Sequence, residues 1–425
     1  MDSLKQDSGR YPFVSRLPFF YGWVILPVAS LAFFTSAPGQ TYNVSIFVDP
    51  MIKDLELSRT VVSSIYTAGS LTAAILMFAV GHLLDRFGAR IMLTIVALLF
   101  GLALLWMSNL SNSLGLFFGI VAIRTLGQGS LTLIPTTLVA IWFIRLRGKA
   151  TALASLGGSI SQATLPLITH MLISQLGWRN AWMAQAFMVW IILLIPVITL
   201  IRRTPESVGQ LPDGDTSSDE SNIQNESQLI PSEQSWTLKD ALKTRTFWLL
   251  IFTGSSPALI ITALVFHQVS LFGNKGLDAS IAASALTIMA IGTLSGTLLS
   301  GILTDRFQAR YIVASSHAII IIGMLFSFAI SREIEALIYG GILGLGFGVF
   351  LPSSTVIWAN YFGRKYLGAI RGVATSWIVA FAALGPMPFG ILFDITGDYS
   401  IAIALFLILP VACGLAAIFA KAPVK

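Results

Sequence analysis

The sequence predicts an all-α integral membrane protein with twelve transmembrane helices, arranged as two six-helix pseudo-symmetric halves. Three observations carry that prediction. Mean hydropathy is +0.80 and only 11% of residues are charged, well away from the balance of water-soluble domains. Twelve runs of 20 or more residues contain no Asp, Glu, Lys or Arg, and a bilayer core of about 30 Å is crossed by roughly 20 apolar helical residues. A charged decapeptide is also written twice, as GHLLDRFGAR at 81–90 and GILTDRFQAR at 301–310, 220 residues apart.

Taken in order, the run 17–48 supplies helix one; it is full span length and lacks a short apolar core before a small-residue cleavage site, so it is expected to be retained. The run 60–84 is helix two, and the long run from 91 divides at Asn109–Asn112 into helix three and a helix four that starts near Ser113 and continues to 144. Helices five and six occupy 150–178 and 180–201. Residues 202–245 are rich in Ser, Asp, Glu, Gln and Pro and too poor in apolar side chains to pack, so they read as a linker. Near its end, Thr237 three before Asp240 signals a short capped helix at the membrane surface. The runs 246–274, 279–304, 311–331, 336–363, 372–393 and 399–420 supply helices seven to twelve. The predicted organisation is a tail at 1–16, a half at 17–201, the linker at 202–245, a half at 246–420 and a tail at 421–425.

Lys and Arg fall unevenly between alternate loops, 20 on the side of the termini and linker, Arg371 counted among them, and 5 on the other. That bias predicts cytoplasmic termini in a plasma (inner) membrane. It also accounts for the net charge of +6, leaving nothing that calls for nucleic acid. Cys413 is the only cysteine and lies in the last span, which excludes a disulfide framework or a cysteine metal site.

Each copy of the decapeptide lies between the second and third helix of its half, and PTTLVAIWFIRLRGKA at 135–150 is echoed by PSSTVIWANYFGRKYLGA at 352–369. Duplicated halves are how secondary transporters build alternating access. In the pattern G-x-L-x-D-R-x-G-x-R, Gly81, Leu83, Asp85, Arg86, Gly88 and Arg90 all match, while the second copy has Gln308 in place of the second glycine. On these residues the chain resembles the major facilitator superfamily. YGWVI at 21–25, the Trp142-Phe…Arg147-Gly-Lys-Ala150 stretch and GWRNAW at 177–182 are similar to its monocarboxylate and oxalate/formate branch. The resemblance implies the major facilitator fold and a gate, on the side of the decapeptide loops, formed by Gly81, Asp85, Arg86 and Arg90 with Asp305, Arg306 and Arg310. Members of that branch often hold a carboxylate with a basic residue in helix eight, whereas 279–304 contains no Arg, Lys or His.

Arg124 is the one charge deep inside a span, about 16 Å into helix four at 1.5 Å per residue. A charge at that depth is costly unless it faces a cavity or a partner, which makes it the first candidate for binding substrate. Gln128 and Thr132 follow on the same face. The alternative reading is a fixed structural partner. In helix one, Gln40 and Asn43 flank the Pro38–Gly39 pair, which weakens the helix and favours a cavity wall; the alternative is interhelical hydrogen bonding. Gln162 lies midway along helix five, and Trp358 and Trp377 are further candidates for the cavity wall. His267, late in helix seven, is the candidate for proton coupling, because no Asp or Glu lies deep in a span.

The chain has no G-x-x-x-x-G-K-[ST] phosphate loop, H-E-x-x-H or G-x-S-x-G motif, so neither an ATP-driven pump nor an enzyme is expected, and no cofactor or metal. The reading is a secondary transporter for a small monocarboxylate-like organic anion, by proton symport or anion exchange, working as a monomer in the bilayer. Efflux of an amphipathic compound is the alternative. A non-transporting receptor on the same fold is the remote one.

Overall fold

Proline and glycine decide where the first helix breaks. In the computed structural model, which describes residues 19–57, 59–214 and 236–424, α1 runs over Gly22–Thr35, passes through a 3-10 turn at Ala37–Gly39 and resumes as Thr41–Leu55. Pro38 has no N–H to donate, and Gln40 is extended at φ −87° and ψ 148°, so the helical ladder stops there. The predicted tail at 1–16 and the stretch 215–235 of the predicted linker lie outside the described residues.

The next helical stretch, Arg59–Ser108, has 50 residues. Straight, it would measure about 75 Å, more than twice a bilayer core. It is broken instead at Gly88, whose φ of +78° suits a residue without Cβ. This gives α2 (59–87) and α3 (89–108). Gly177, at φ +80°, likewise ends α5 (147–176) and precedes α6 (178–200). Between them stands α4, Ser113–Trp142, whose start is capped by the Asn112 side chain.

The C-terminal helices are α7 (Arg245–Gly273), α8 (Ala279–Arg306), α9 (Ala309–Phe326) and α10 (Glu333–Phe362). They are followed by α11, Leu367–Leu384 continued by Pro386–Thr396, and α12, Tyr399–Phe406 continued by Ile408–Phe419. Among the described residues, ten helical stretches are long and apolar enough to cross a membrane, and two of them contain the glycine breaks. Dividing those two gives twelve. Where the first decapeptide uses Gly88, the second places Phe307 and Gln308 in extended backbone between α8 and α9. A two-residue break needs no left-handed position, which explains why glutamine is accommodated.

The two largest apolar cores lie one in each half. The first gathers Phe47, Phe100, Trp142 and Trp182, and the second Phe272, Met289, Tyr339 and Phe389. The outer surfaces are apolar as well: Ile75, Ile191 and Ile408 are exposed, as lipid-facing side chains must be. Gly340, Gly344 and Gly348 seat α10 against the backbone of α8 at Ala285, Met289 and Thr293, so this small-residue stripe packs helices inside one half.

The halves meet along α2 against α11 and α5 against α8. A Cβ on Gly372 would stand 2.9 Å from the Cα of Gly81, so backbones touch at this seam. The ends of these helices at Asp85, Gly148, Asp305 and Gly368 share one face of the molecule with the linker ends. We call it the linker face.

Candidate functional site

The break in α1 lies directly against α4. A Cβ on Gly127 would be 2.8 Å from the Cα of Gly39, and at this level α4 widens into a π-helical turn, Arg124–Ser130. Such turns are enriched at functional sites because they displace side chains from the regular ladder. Arg124 uses the displacement to reach the break. Its Nη1 donates to the carbonyl of Gly39 at 3.2 Å and to Thr41 Oγ1 at 3.1 Å, and the guanidinium lies 5.1 Å from the Tyr66 ring centroid. Tyr66 in turn donates its hydroxyl to Thr41 at 2.9 Å.

Arg124 is 1% exposed, yet no carboxylate pairs with it among the described residues. Its Nε is buried with no hydrogen-bond partner, and so is the side-chain oxygen of Gln128 one turn later. A neutral carbonyl, a hydroxyl and an aromatic face therefore surround a full positive charge. An anion would complement such a charge.

The other candidates separate. Gln40 donates to Ser36 Oγ at 3.2 Å and stays beside the break. Asn43 instead closes a buried triangle: it donates to Gln185 Oε1 at 3.2 Å, accepts from Thr169 at 2.6 Å, and Gln185 donates to Thr169 at 2.7 Å. Gln162 is half-buried on α5. Trp377 is 39% exposed, its ring 5.8 Å from Phe381, whereas Trp358 is buried among Phe247 and Phe362 in an apolar cluster. Both ring nitrogens of His267 are engaged, Nε2 with the Pro386 carbonyl at 2.9 Å and Nδ1 with the Tyr399 hydroxyl at 3.1 Å. Arg124, Gln128 and Gln40 thus surround the α1 break in the N-terminal half, while His267 and Trp377 belong to the C-terminal half. Sequence reasoning missed Tyr66 and Thr41; Thr41 could have been found as the first residue of the resumed helix, but Tyr66 carries no local signal.

At the linker face, each repeat aspartate caps a helix of the other half. Asp85 accepts from the backbone N–H groups of Gly368 and Ala369 at 2.8 and 2.7 Å, at the start of α11. Asp305 accepts from Gly148 and Lys149 at 2.8 and 3.2 Å, at the start of α5. Both aspartates compensate helix N-termini. The arginines stay within their own halves: Arg90 donates to the Ile198 carbonyl at 2.9 Å and Arg310 to that of Ile418 at 3.4 Å, while Arg86 and Arg306 are exposed. Burial pushes the Asp85 carboxyl, just beyond the apolar run 60–84, up to about 6 against the pull of its two amides. Asp305 is raised for the same first cause. Arg147 bonds Asn360 at 2.5 Å, Arg364 the Ile141 carbonyl at 2.9 Å and Arg371 the Thr136 hydroxyl. Among the described residues every hydrogen bond between the halves lies near the linker face, so the structure is closed there.

The linker ends dock on the same face. Asp213 accepts from the backbone of Ile144, Arg145 and Leu146, and Trp236 donates its backbone N–H to the Phe362 carbonyl at 3.1 Å.

Residues 28–386 match the Major Facilitator Superfamily. The chain belongs to that superfamily. Among its relatives, the MFS transporter asaE of Aspergillus flavus is 24% identical over 330 residues, which is 76% of this chain and 68% of that one. Monocarboxylate transporter 6 of Mus musculus is 27% identical over 189 residues, 43% of this chain and 36% of that one. The superfamily fold is shared with the proton:xylose symporter XylE bound to 6-bromo-6-deoxy-D-glucose, with a TM-score of 0.73 at 16% identity over 94% of this chain and 95% of that one. The protein is a multi-pass membrane transporter of the superfamily.

Proposed function

We propose that the transporter carries a small organic anion of the monocarboxylate kind by alternating access, coupled to a proton or to a counter-anion. The linker face is then the cytoplasmic face of the plasma (inner) membrane, the side favoured by the excess of Lys and Arg. The observation that supports this reading is Arg124: a buried guanidinium without a carboxylate partner among the described residues, its Nε–H unused, one turn before an unused Gln128 oxygen. Burying a cation unpaired costs several kcal/mol, a cost that a bound anion offsets. The partial likeness to a monocarboxylate transporter agrees with it. An anion entering from the face opposite the linker meets Arg124 beside the α1 break; release follows once the Asp85 and Asp305 caps part.

A second reading, efflux of an amphipathic compound, is favoured by α8, which has no His or Lys and no Arg before its last residue, Arg306. Arg124 would then serve only to hold the Gly39 carbonyl. Counterflow in proteoliposomes decides between them. With a panel of monocarboxylates and dicarboxylates, the native chain is expected to show saturable exchange and Arg124→Gln to lose it by at least about a hundredfold, as for a charged contact in a dry site. No anion exchange by folded native protein would reject the anion reading.

A further inference from the structure

Arg371 was counted among the loop charges by its place in the sequence, but the structure buries it. The helix begins at Leu367, five residues before the apolar run, so Arg371 stands in the first turns of α11 and is 9% exposed. Its Nη1 donates to Thr136 Oγ1 on α4, across the seam. The Thr136 hydroxyl proton is directed to its own helix, at the Thr132 and Leu133 carbonyls, both 2.8 Å away, leaving only a lone pair for the arginine. The Nε of Arg371 is buried with no partner, and no carboxylate pairs with the side chain among the described residues. The aspartate that caps the start of α11, Asp85, is engaged by the amides of Gly368 and Ala369.

A single hydroxyl is a poor partner for a desolvated guanidinium. If the contact served only to clamp the halves, a carboxylate at the α4 position would clamp harder. Thr136 lies twelve residues past Arg124 on the same helix, about 18 Å nearer the linker face at 1.5 Å per residue. The two buried, carboxylate-free arginines therefore mark two depths along α4. They also differ in one respect: the Arg124 contacts lie within one half, whereas the only side-chain hydrogen bond of Arg371 among the described residues crosses the seam and must break when the linker face opens.

We propose that Arg371 is a second anion-binding residue, parked on Thr136 while the linker face is closed and freed to bind the carboxylate when that face opens. The inference rests on the anion reading of the transporter. It assigns to Arg371 the pick-up or release of substrate on the linker side, and to Thr136 the role of a placeholder.

The test is sided kinetics in oriented vesicles, with whichever anion the native chain exchanges supplied first at one face and then at the other. Arg371→Gln is expected to raise KM at the linker face about tenfold or more while KM at the far face stays within about twofold, with Arg371→Lys intermediate. Thr136→Val, which removes the parking contact and keeps the charge, is expected to leave the linker-face KM unchanged or lower. Equal effects of Arg371→Gln at both faces, no effect at either, or a Thr136→Val phenotype that copies it would each overturn the proposal while leaving the anion reading intact. Failure of the native chain to exchange any anion would instead reject both together.

Discussion

At the scale of single residues, two side chains with similar sequence credentials turn out differently. Gln40 and Asn43 flank the same Pro–Gly pair, yet Asn43 engages both its amide nitrogen and its amide oxygen in the triangle with Thr169 and Gln185. Removing one member of a fully buried network leaves the others unsatisfied, so Asn43→Ala is expected to cost about 1–3 kcal/mol. A lowered midpoint in detergent thermal melts, set against a near-native midpoint for Gln40→Ala, checks this. Asp85 supports a prediction of a different kind. Its carboxyl is raised to about 6 in the closed arrangement; exposed after opening, it would return to about 4. The closed arrangement then holds more protons between about pH 4 and 6, so acidification through that window favours closure. Spin labels at L83C and K365C, in a C413S background, are expected to show a larger closed fraction at pH 5 than at pH 7. Asp85→Asn is expected to remove most of that pH dependence, and an unchanged response in this variant would reject the assignment to Asp85.

At the scale of elements, the breaks were the most legible features and the approaches between helices the least. Pro38–Gly39 and the charged decapeptide announce their breaks, because both act through their own segment. The start of α11 was hidden, because a hydropathy run stops at the first charge and Arg371 lies just before Gly372. Nothing local to that segment says that Gly81 of another helix will come into backbone contact with Gly372. Arg124 was legible as a buried charge, but its partners were not, since a carbonyl freed by a helix break and an aromatic face carry no charge pattern. The same distinction orders three substitutions. Gly177→Ala meets no atom within 4 Å and suffers only its φ of +80°, about 1–2 kcal/mol, whereas Gly344→Ala must push apart α8 and α10 at Met289. Thermal melts are expected to rank Gly344→Ala well below Gly177→Ala, with Gln308→Gly near the native chain.

At the scale of the whole molecule, the reciprocal caps make closure a property of both halves together. Asp85 holds α11 and Asp305 holds α5, so neither half contains a complete lock. The linker adds anchors at its two ends, Asp213 on the N-terminal half and Trp236 on the C-terminal half. Read as logic, this is a duplicated fastening in which opening demands that two separated contacts fail within the same event. A damaged copy leaves the other engaged, and the fastening degrades by degrees instead of failing outright. That redundancy fits the loss of the second glycine from the later decapeptide, where Gln308 stands and Asp305 still reaches the helix it caps.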